Sequence, residues 1–232
     1  MSQVKAAVCA GILLMAGMAA APARADLLFS NPGTDVACAA GCWASGGSPD
    51  YAFRTWDDFT IGVDARVTTV TWRGVAFAEG LNLQDLDTLS WDLGFFADAA
   101  GTPGAELYTA NIADADVSRI FLGTGGLAGT TVNYWEFSAV LPTEFAVAAG
   151  TTYWFSPFSN QSDYYPVFGW SGSTGGSTFQ TLLTNDSTYV RSNNRAFTLS
   201  GVVPEPQTWA LMILGFGAAG AALRRKQAAR AT

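Results

Sequence analysis

From Thr88 to Asp98 apolar and polar side chains alternate along the chain. Leu89, Trp91, Leu93, Phe95 and Ala97 share one face, and Ser90, Asp92, Gly94, Phe96 and Asp98 share the other. A period of two belongs to an extended strand with one face buried. Thr131 to Val140 alternates again, with Asn133, Trp135, Phe137 and Ala139 set against Val132, Tyr134, Glu136 and Ser138. Helical periodicity is scarce between Asp26 and Val203. Short runs rich in Val, Thr, Phe, Tyr and Trp recur instead, separated by Gly, Asp, Asn and Pro clusters. The pattern predicts strands at 27–29, 52–61, 66–78, 88–97, 106–112, 117–122, 131–140, 151–158, 167–170, 178–183 and 195–200. It predicts loops at 31–50 and 123–129 and a turn at 98–104, where Gly101 and Pro103-Gly104 sit. About ten short strands at this spacing make the fold all-β, an antiparallel β-sandwich of jelly-roll-like kind.

The two ends of the chain break this pattern. Lys5 followed by the apolar run Ala6 to Ala21 and the small-x-small site Ala23-Arg24-Ala25 reads as a signal peptide over residues 1–25. Trp209 to Leu223 carries no charge. As a helix it would be roughly 23 Å long at about 1.5 Å per residue, against the about 20 apolar residues of a full span. It reads as a single, short transmembrane helix at 209–223, a weak or temporary anchor, with a basic tail at 224–232. Arg224, Arg225 and Lys226 would stay on the cytoplasmic side, with the rest of the chain outside. The exported domain is then 26–202, and 203–232 is the anchor segment.

Just before the anchor stands Pro204-Glu205-Pro206. Two prolines one residue apart hold the backbone extended and bar helix upstream, so the tripeptide is presented in the shape proteases bind. Gly215, Gly217 and Gly220 leave a smooth helix face that another helix can approach. Together with Trp209, Phe216 and Arg224-Arg225, these residues closely resemble the PEP-CTERM sorting signal of Gram-negative bacteria. The resemblance implies an inner-membrane-anchored precursor processed by an exosortase at or near the tripeptide, then placed at the cell surface or outside the cell. It also implies a link to exopolysaccharide. The middle of the chain, through Val70-Thr71-Trp72-Arg73-Gly74, Gly94-Phe95-Phe96-Ala97-Asp98, Gly101-Thr102-Pro103-Gly104 and Ala196 to Gly201, is similar to uncharacterised exported domains that precede this signal.

Composition narrows the chemistry. The net charge is −7, and no histidine occurs. Histidine-based triads, histidine-ligated zinc and the usual pH switch are therefore excluded. Within 26–202 the only cations are Arg54, Arg66, Arg73, Arg119, Arg191 and Arg195, facing nearly all of the 19 acidic residues. Such a balance argues against nucleic acid as a partner. Cys38 and Cys42 remain after the signal peptide, an even pair in an exported chain, which reads as a local disulfide. A redox motif would have two residues between the cysteines, and a metal site would need further ligands.

Three kinds of site come into question on the exported domain. Asp57-Asp58, Asp85 with Asp87, and Asp114 with Asp116 offer oxygen ligands that Ca²⁺ would accept, though turn-forming or solvated carboxylates explain them as well. Asp57, Asp92, Glu136 and Glu144 are the acids a two-carboxylate glycosidase would draw on, and nothing in their spacing pairs two of them. Tyr164, Tyr165 and Trp170, in an aromatic-rich loop, are candidates for a platform that stacks on sugar rings. The strand tryptophans Trp56, Trp72, Trp91, Trp135 and Trp154 read as core. The expectation is a non-enzymatic surface or matrix protein without a resident cofactor or metal; the alternative is a carbohydrate-binding module, with Ca²⁺ as its one conceivable ion.

Overall fold

A computed structural model describes residues 25–204, 213–217 and 220 of the chain. Residues 1–24 of the signal peptide read at 1–25, and most of the anchor, therefore lie outside the described residues. Among the described residues fourteen strands make up the domain: β1 (Asp26–Asn31), β2 (Cys42–Ala44), β3 (Gly46–Ser48), β4 (Tyr51–Thr60), β5 (Ala65–Phe77), β6 (Thr88–Asp98) and β7 (Pro103–Ala113) come first. A 3-10 turn at Asp114–Asp116 leads into β8 (Ser118–Leu127), β9 (Thr130–Val147), β10 (Thr152–Gln161), β11 (Val167–Ser171), β12 (Ser177–Leu182), β13 (Ser187–Ser192) and β14 (Phe197–Val202).

The strands form two seven-stranded sheets. In the first, long β5 is the spine. β9 pairs along one side of it, with β8 outside β9. On the other side β14 and then β11 pair with successive parts of β5, with β1 and β2 outside them. In the second sheet the order is β13-β12-β4-β3-β10-β6-β7, with β4 also pairing directly with β10. The pairings are antiparallel apart from the short parallel contact of β3 with β10. The chain passes from one sheet to the other after β2, β4, β5, β7, β9, β10, β11 and β13.

One aromatic core joins the inner faces in a sandwich-like arrangement. Trp72, Phe137, Phe168, Trp170 and Phe197 come from the first sheet, and Phe59, Trp91, Leu93, Phe95 and Phe155 from the second. Trp91 meets Trp72 at 5.1 Å and Phe168 at 4.9 Å between ring centroids, and Phe95 stacks on Phe145 at 4.4 Å. A fully buried large side chain of this kind contributes about 1.5–3 kcal/mol, and offset or edge contacts between rings add about 0.5–1.5 kcal/mol each. The indole N–H of Trp91 is satisfied by donating to Asp114 at 2.8 Å.

Several expectations need correcting. The stretch 31–50, which the pattern makes a loop, contains β2 and β3, too short for an alternating signal. The glycine-rich stretch 123–129 is largely strand, because β8 continues to Leu127 beside β9. The second half of the last hairpin, β13, has no counterpart among the predicted strands. On β6, Trp91, Leu93 and Phe95 point into the core as the alternation demands, but Leu89 is 61% exposed. Its neighbours explain this: Ser90 pairs with Asn160 and Thr88 with Gln161, so Leu89 is the extra residue of a bulge. A bulge turns its residue out of the alternation.

Strand β9 buries different parities in its two halves. Phe137, Ala139 and Leu141 enter the shared core, whereas Val132 and Tyr134 are buried on the opposite, outer face. The segment between β1 and β2 causes this. It folds back over the first sheet as a strap, and its Ala37 packs with Val75, Val132 and Tyr134. Tyr134 donates its hydroxyl proton to the carbonyl of Thr34 at 3.0 Å. Cys38 and Cys42 are bonded to each other, with Cα atoms 5.0 Å apart, at the end of the strap.

Candidate functional site

The outer face of the second sheet is the less expected surface. On β4 the inward parity is Thr55, Asp57 and Phe59, so Arg54, Trp56 and Asp58 point outward. Trp56 is half-buried, not core, and meets Phe96 edge-on at 6.1 Å. Trp154 of β10 also faces outward, packs edge-on against Phe179 at 5.4 Å and donates its N–H to Asp98 at 2.9 Å. Trp72 and Trp91 are fully buried, and Trp135 lies half-buried at the core's margin. Of the five tryptophans read as core, Trp72 and Trp91 lie in the shared core, Trp135 packs against it, and Trp154 is buried at 3% exposure although it is on the outer side of its strand, so the reading fails for Trp56. The parity that Trp56 shares with Arg54 and Asp58 is the signal that separates it.

Three depressions indent this outer face. One of about 360 Å³ lies between Trp56, Phe96 and Phe179, with Thr181 and Thr188 at its rim. A second of about 290 Å³ lies on the other side of Phe179, beside Asp58, Asp98 and Trp154. A third of about 400 Å³ is floored by Phe158, with the bulged Leu89 and Leu183 around it. Arg54 sits in the middle of the face, its guanidinium 4.8 Å from the Phe158 ring centre and 3.8 Å from the Asp92 carboxylate. Burial lowers its pKa, opposed by Asp92 and Glu106. Partial burial raises the pKa of Asp58; its own backbone N–H opposes the rise and the charge of Asp98 adds to it.

The four acids nominated for catalysis occupy different places. Asp57 lies inside the sandwich, Asp92 faces out beside Arg54 and Asn111, Glu136 pairs with Arg73 at 2.8 Å, and Glu144 pairs with Arg66 at 3.1 Å. Asp57 is fully buried and accepts from the Arg195 backbone N–H at 2.7 Å and the Asn31 amide at 3.1 Å. Burial pushes its pKa up to about 8, against the lowering effect of those hydrogen bonds. Arg195 is buried too, its pKa brought down to about 10 by desolvation. Asp85 is held by Asn133, Asp87 by Ser162, and Asp114 by Trp91 and Arg119. Among the described residues no group of three or more Asp, Glu or Cys is arranged to hold a metal ion.

The expected aromatic platform does not form. Trp170 is wholly inside the core and donates its indole N–H to the carbonyl of Ala196 at 3.0 Å. It belongs to β11, whose place between β5 and β2 buries its side chains completely. Tyr164 and Tyr165 lie together outside, with ring centroids 4.6 Å apart, and Tyr164 leans edge-on against Tyr51 at 4.8 Å. Tyr164 lines a separate apolar cleft of about 250 Å³ with Trp43, Phe53 and Phe77. The spacing Tyr164–Trp170 reads as one loop, but β11 begins at Val167 and carries Trp170 through the sheet.

At the C-terminal end, Pro204 is exposed just past β14, and residues 213–217 and 220 are helical. Ile213, Leu214 and Phe216 are each about 70% exposed, and a side chain at Gly215, Gly217 or Gly220 would meet nothing within 4 Å. The end of the last strand thus leads to an apolar helix turn whose glycine face is bare. Residues 202–226 match the PEP-CTERM protein-sorting motif. The motif covers the tripeptide, the apolar run and the basic cluster. Of its residues, Pro204, Gly215, Phe216, Gly217 and Gly220 are described, whereas Glu205, Pro206, Trp209, Arg224 and Arg225 lie outside the described residues. A PEP-CTERM signal implies an exported chain, anchored and then processed, with an exosortase as the processing partner. Among the described residues no helix is long and apolar enough to cross a membrane. No curated protein and no solved structure matches the chain.

Proposed function

We propose that this chain is a non-enzymatic cargo of the exosortase pathway. It is exported by its signal peptide at 1–25, held in the inner membrane by the helix at 209–223, and cut near Pro204-Glu205-Pro206. The released domain, 26–202, then resides at the cell surface or in the extracellular polysaccharide matrix. The observation that carries the reading is the PEP-CTERM motif at residues 202–226, directly after the last strand. The distance is short: β14 ends at Val202, so a protease acting at the tripeptide would release the whole folded domain. The exposed Ile213, Leu214 and Phe216 supply the apolar surface a bilayer or a partner helix would cover.

A structural rather than catalytic role is supported by the dispersal of the carboxylates. Two-carboxylate hydrolysis needs its acids about 5–9.5 Å apart across one cleft, and each nominated acid is instead committed to its own arginine or buried network. The repeated passage of the chain between the sheets supports the jelly-roll-like description of the sandwich. Mass spectrometry of the mature protein tests the proposal. In cells with an active exosortase the C-terminus is expected before Trp209, and the uncut chain should accumulate when the exosortase is deleted. A mature chain that keeps Arg224-Arg225 in the active strain would overturn it.

A further inference from the structure

We propose that the outer face of the second sheet is a binding groove for a neutral oligosaccharide of several rings. The proposal goes beyond the sorting reading and does not depend on it. It uses neither the Tyr164–Tyr165 loop nor a metal ion.

The three depressions lie on one sheet face, around and between Trp56, Phe158 and Phe179. A ligand that fills them must be extended and must present apolar patches at intervals. Polar atoms beside those rings are left unsatisfied. Among the described residues, the Nε of Arg54, the indole N–H of Trp56 and the hydroxyl of Ser156 are buried without a hydrogen-bond partner, and Ser156 is fully buried. All three belong to the outward parity of β4 and β10. A buried polar group without a partner costs free energy, and a ligand's hydroxyl would recover it where a small side-chain movement brings the group to the surface. Of the three residues Trp56 lines a depression, so its indole is the one that stands at the site itself. The rim adds acceptors and hydroxyls: Asp58, Asp98, Thr181 and Thr188.

A pyranose answers this description. Its axial C–H groups give an apolar face that lies on an aromatic ring, and its hydroxyls donate to carboxylates while accepting from an arginine or indole N–H. The charge selects among glycans. Asp58, Asp92, Asp98 and Glu106 border the face, and Arg54 among them is already engaged by Asp92. A polyanion such as a uronate chain would meet uncompensated negative charge, which leaves neutral sugars. The bulge at Leu89 fits the same reading, because it turns an apolar side chain out beside Phe158 where the strand's alternation would have buried it.

The test is calorimetric titration of the full-length chain, in a detergent without a sugar headgroup, with hexasaccharides of glucose, mannose and N-acetylglucosamine and with a uronic-acid hexamer. At least one neutral hexasaccharide is expected to bind, in the presence of chelator as in its absence. Trp56→Ala should weaken that binding at least about tenfold, the loss of one anchoring aromatic. Thr188→Trp, on the exposed strand β13, would fill the depression between Trp56 and Phe179 without touching the core. It should abolish binding, while Tyr164→Ala should leave it unchanged. Failure of every neutral hexasaccharide, binding of the uronate hexamer alone, or undiminished binding by Thr188→Trp would overturn the groove. None of these outcomes bears on where the mature chain ends, which is read from cells by mass.

Discussion

The outer faces of the two sheets are finished in opposite ways. On the first sheet, the half around Val75, Val132 and Tyr134 is closed by the strap between β1 and β2. The remaining half is covered by polar pairs such as Arg73 with Glu136 and Thr71 with Ser138. Among the described residues no strap crosses the second sheet. Its aromatic side chains pack on one another and leave depressions between them. Both sheets share the same inner core, so the difference lies in what the chain does after β1. A fold with one face sealed and one face aromatic and indented has one surface built for stability and another available for contact.

The strap's anchorage is the most consequential feature of the closed face. Arg195 donates to the carbonyls of Gly41, Trp170, Ser192 and Asn193, and so ties the strap's end to β11 and to the chain before β14. Nearby, Asn193 donates to Ala40 and Ser173 to Pro32. Removing one member of a buried charged network costs on the order of 3–5 kcal/mol, because the partners stay buried. Arg195→Ala is therefore expected to lower stability by that amount in urea unfolding. Arg191, half-buried against Trp43 and Tyr189 on the hairpin, is held by cation–π contacts and a bond to Gln180. Arg191→Ala should cost about 1 kcal/mol. Equal losses would show that the strap is not held through Arg195.

Asp57 makes the same anchorage sensitive to pH. Below the unfolded value of 3.8 both states are protonated. Between 3.8 and about 8 the native state holds a proton that the unfolded chain has lost. Its contribution is complete at low pH and is lost as pH rises through that window. Wild-type stability should fall between pH 5 and pH 8 by a few kcal/mol, at about 1.4 kcal/mol per unit for a fully titrating difference. Asp57→Asn keeps the geometry and removes the titration, so its curve should be flatter. Thermal unfolding across pH reads this, and an unchanged slope in the variant would place the pH dependence elsewhere.

Much of the inner layer is legible in the order of the amino acids. The alternation on β6 sends Trp91, Leu93 and Phe95 inward, because a half-buried strand exposes its period in the sequence. The outer faces are less legible, for two physical reasons. Strand β9 reverses its buried parity midway, since burial there depends on a strap distant in sequence, and no local period encodes a distant cover. Leu89 leaves its expected face because a bulge depends on pairing with β10. The open groove does carry a local signal: Trp56 alternates with Arg54 and Asp58, a tryptophan on the charged side of its strand. Trp170 shows the reverse, an aromatic near a polar loop that the sheet takes into the core. The sorting signal is legible throughout, because it is read as contiguous residues and needs no tertiary partner.

The contrast between closed and open faces sharpens at two adjacent glycines of β8. A Cβ on Gly125 would lie 2.5 Å from the Cβ of Ala37 in the strap, while one on Gly126 would meet nothing within 4 Å. The two positions share strand, neighbours and chemistry, and differ in the face they present. Neither has the positive φ that would strain a side chain by itself. Gly125→Leu should therefore lift the strap and cost about 1–3 kcal/mol, the usual range for overpacking, and amide exchange around Tyr134 of β9 should quicken. Gly126→Leu should stay within about 0.5 kcal/mol of wild type. If both substitutions were equally mild, the strap would be resting on the sheet without sealing it, and the asymmetry between the two faces would reduce to the aromatic groove alone.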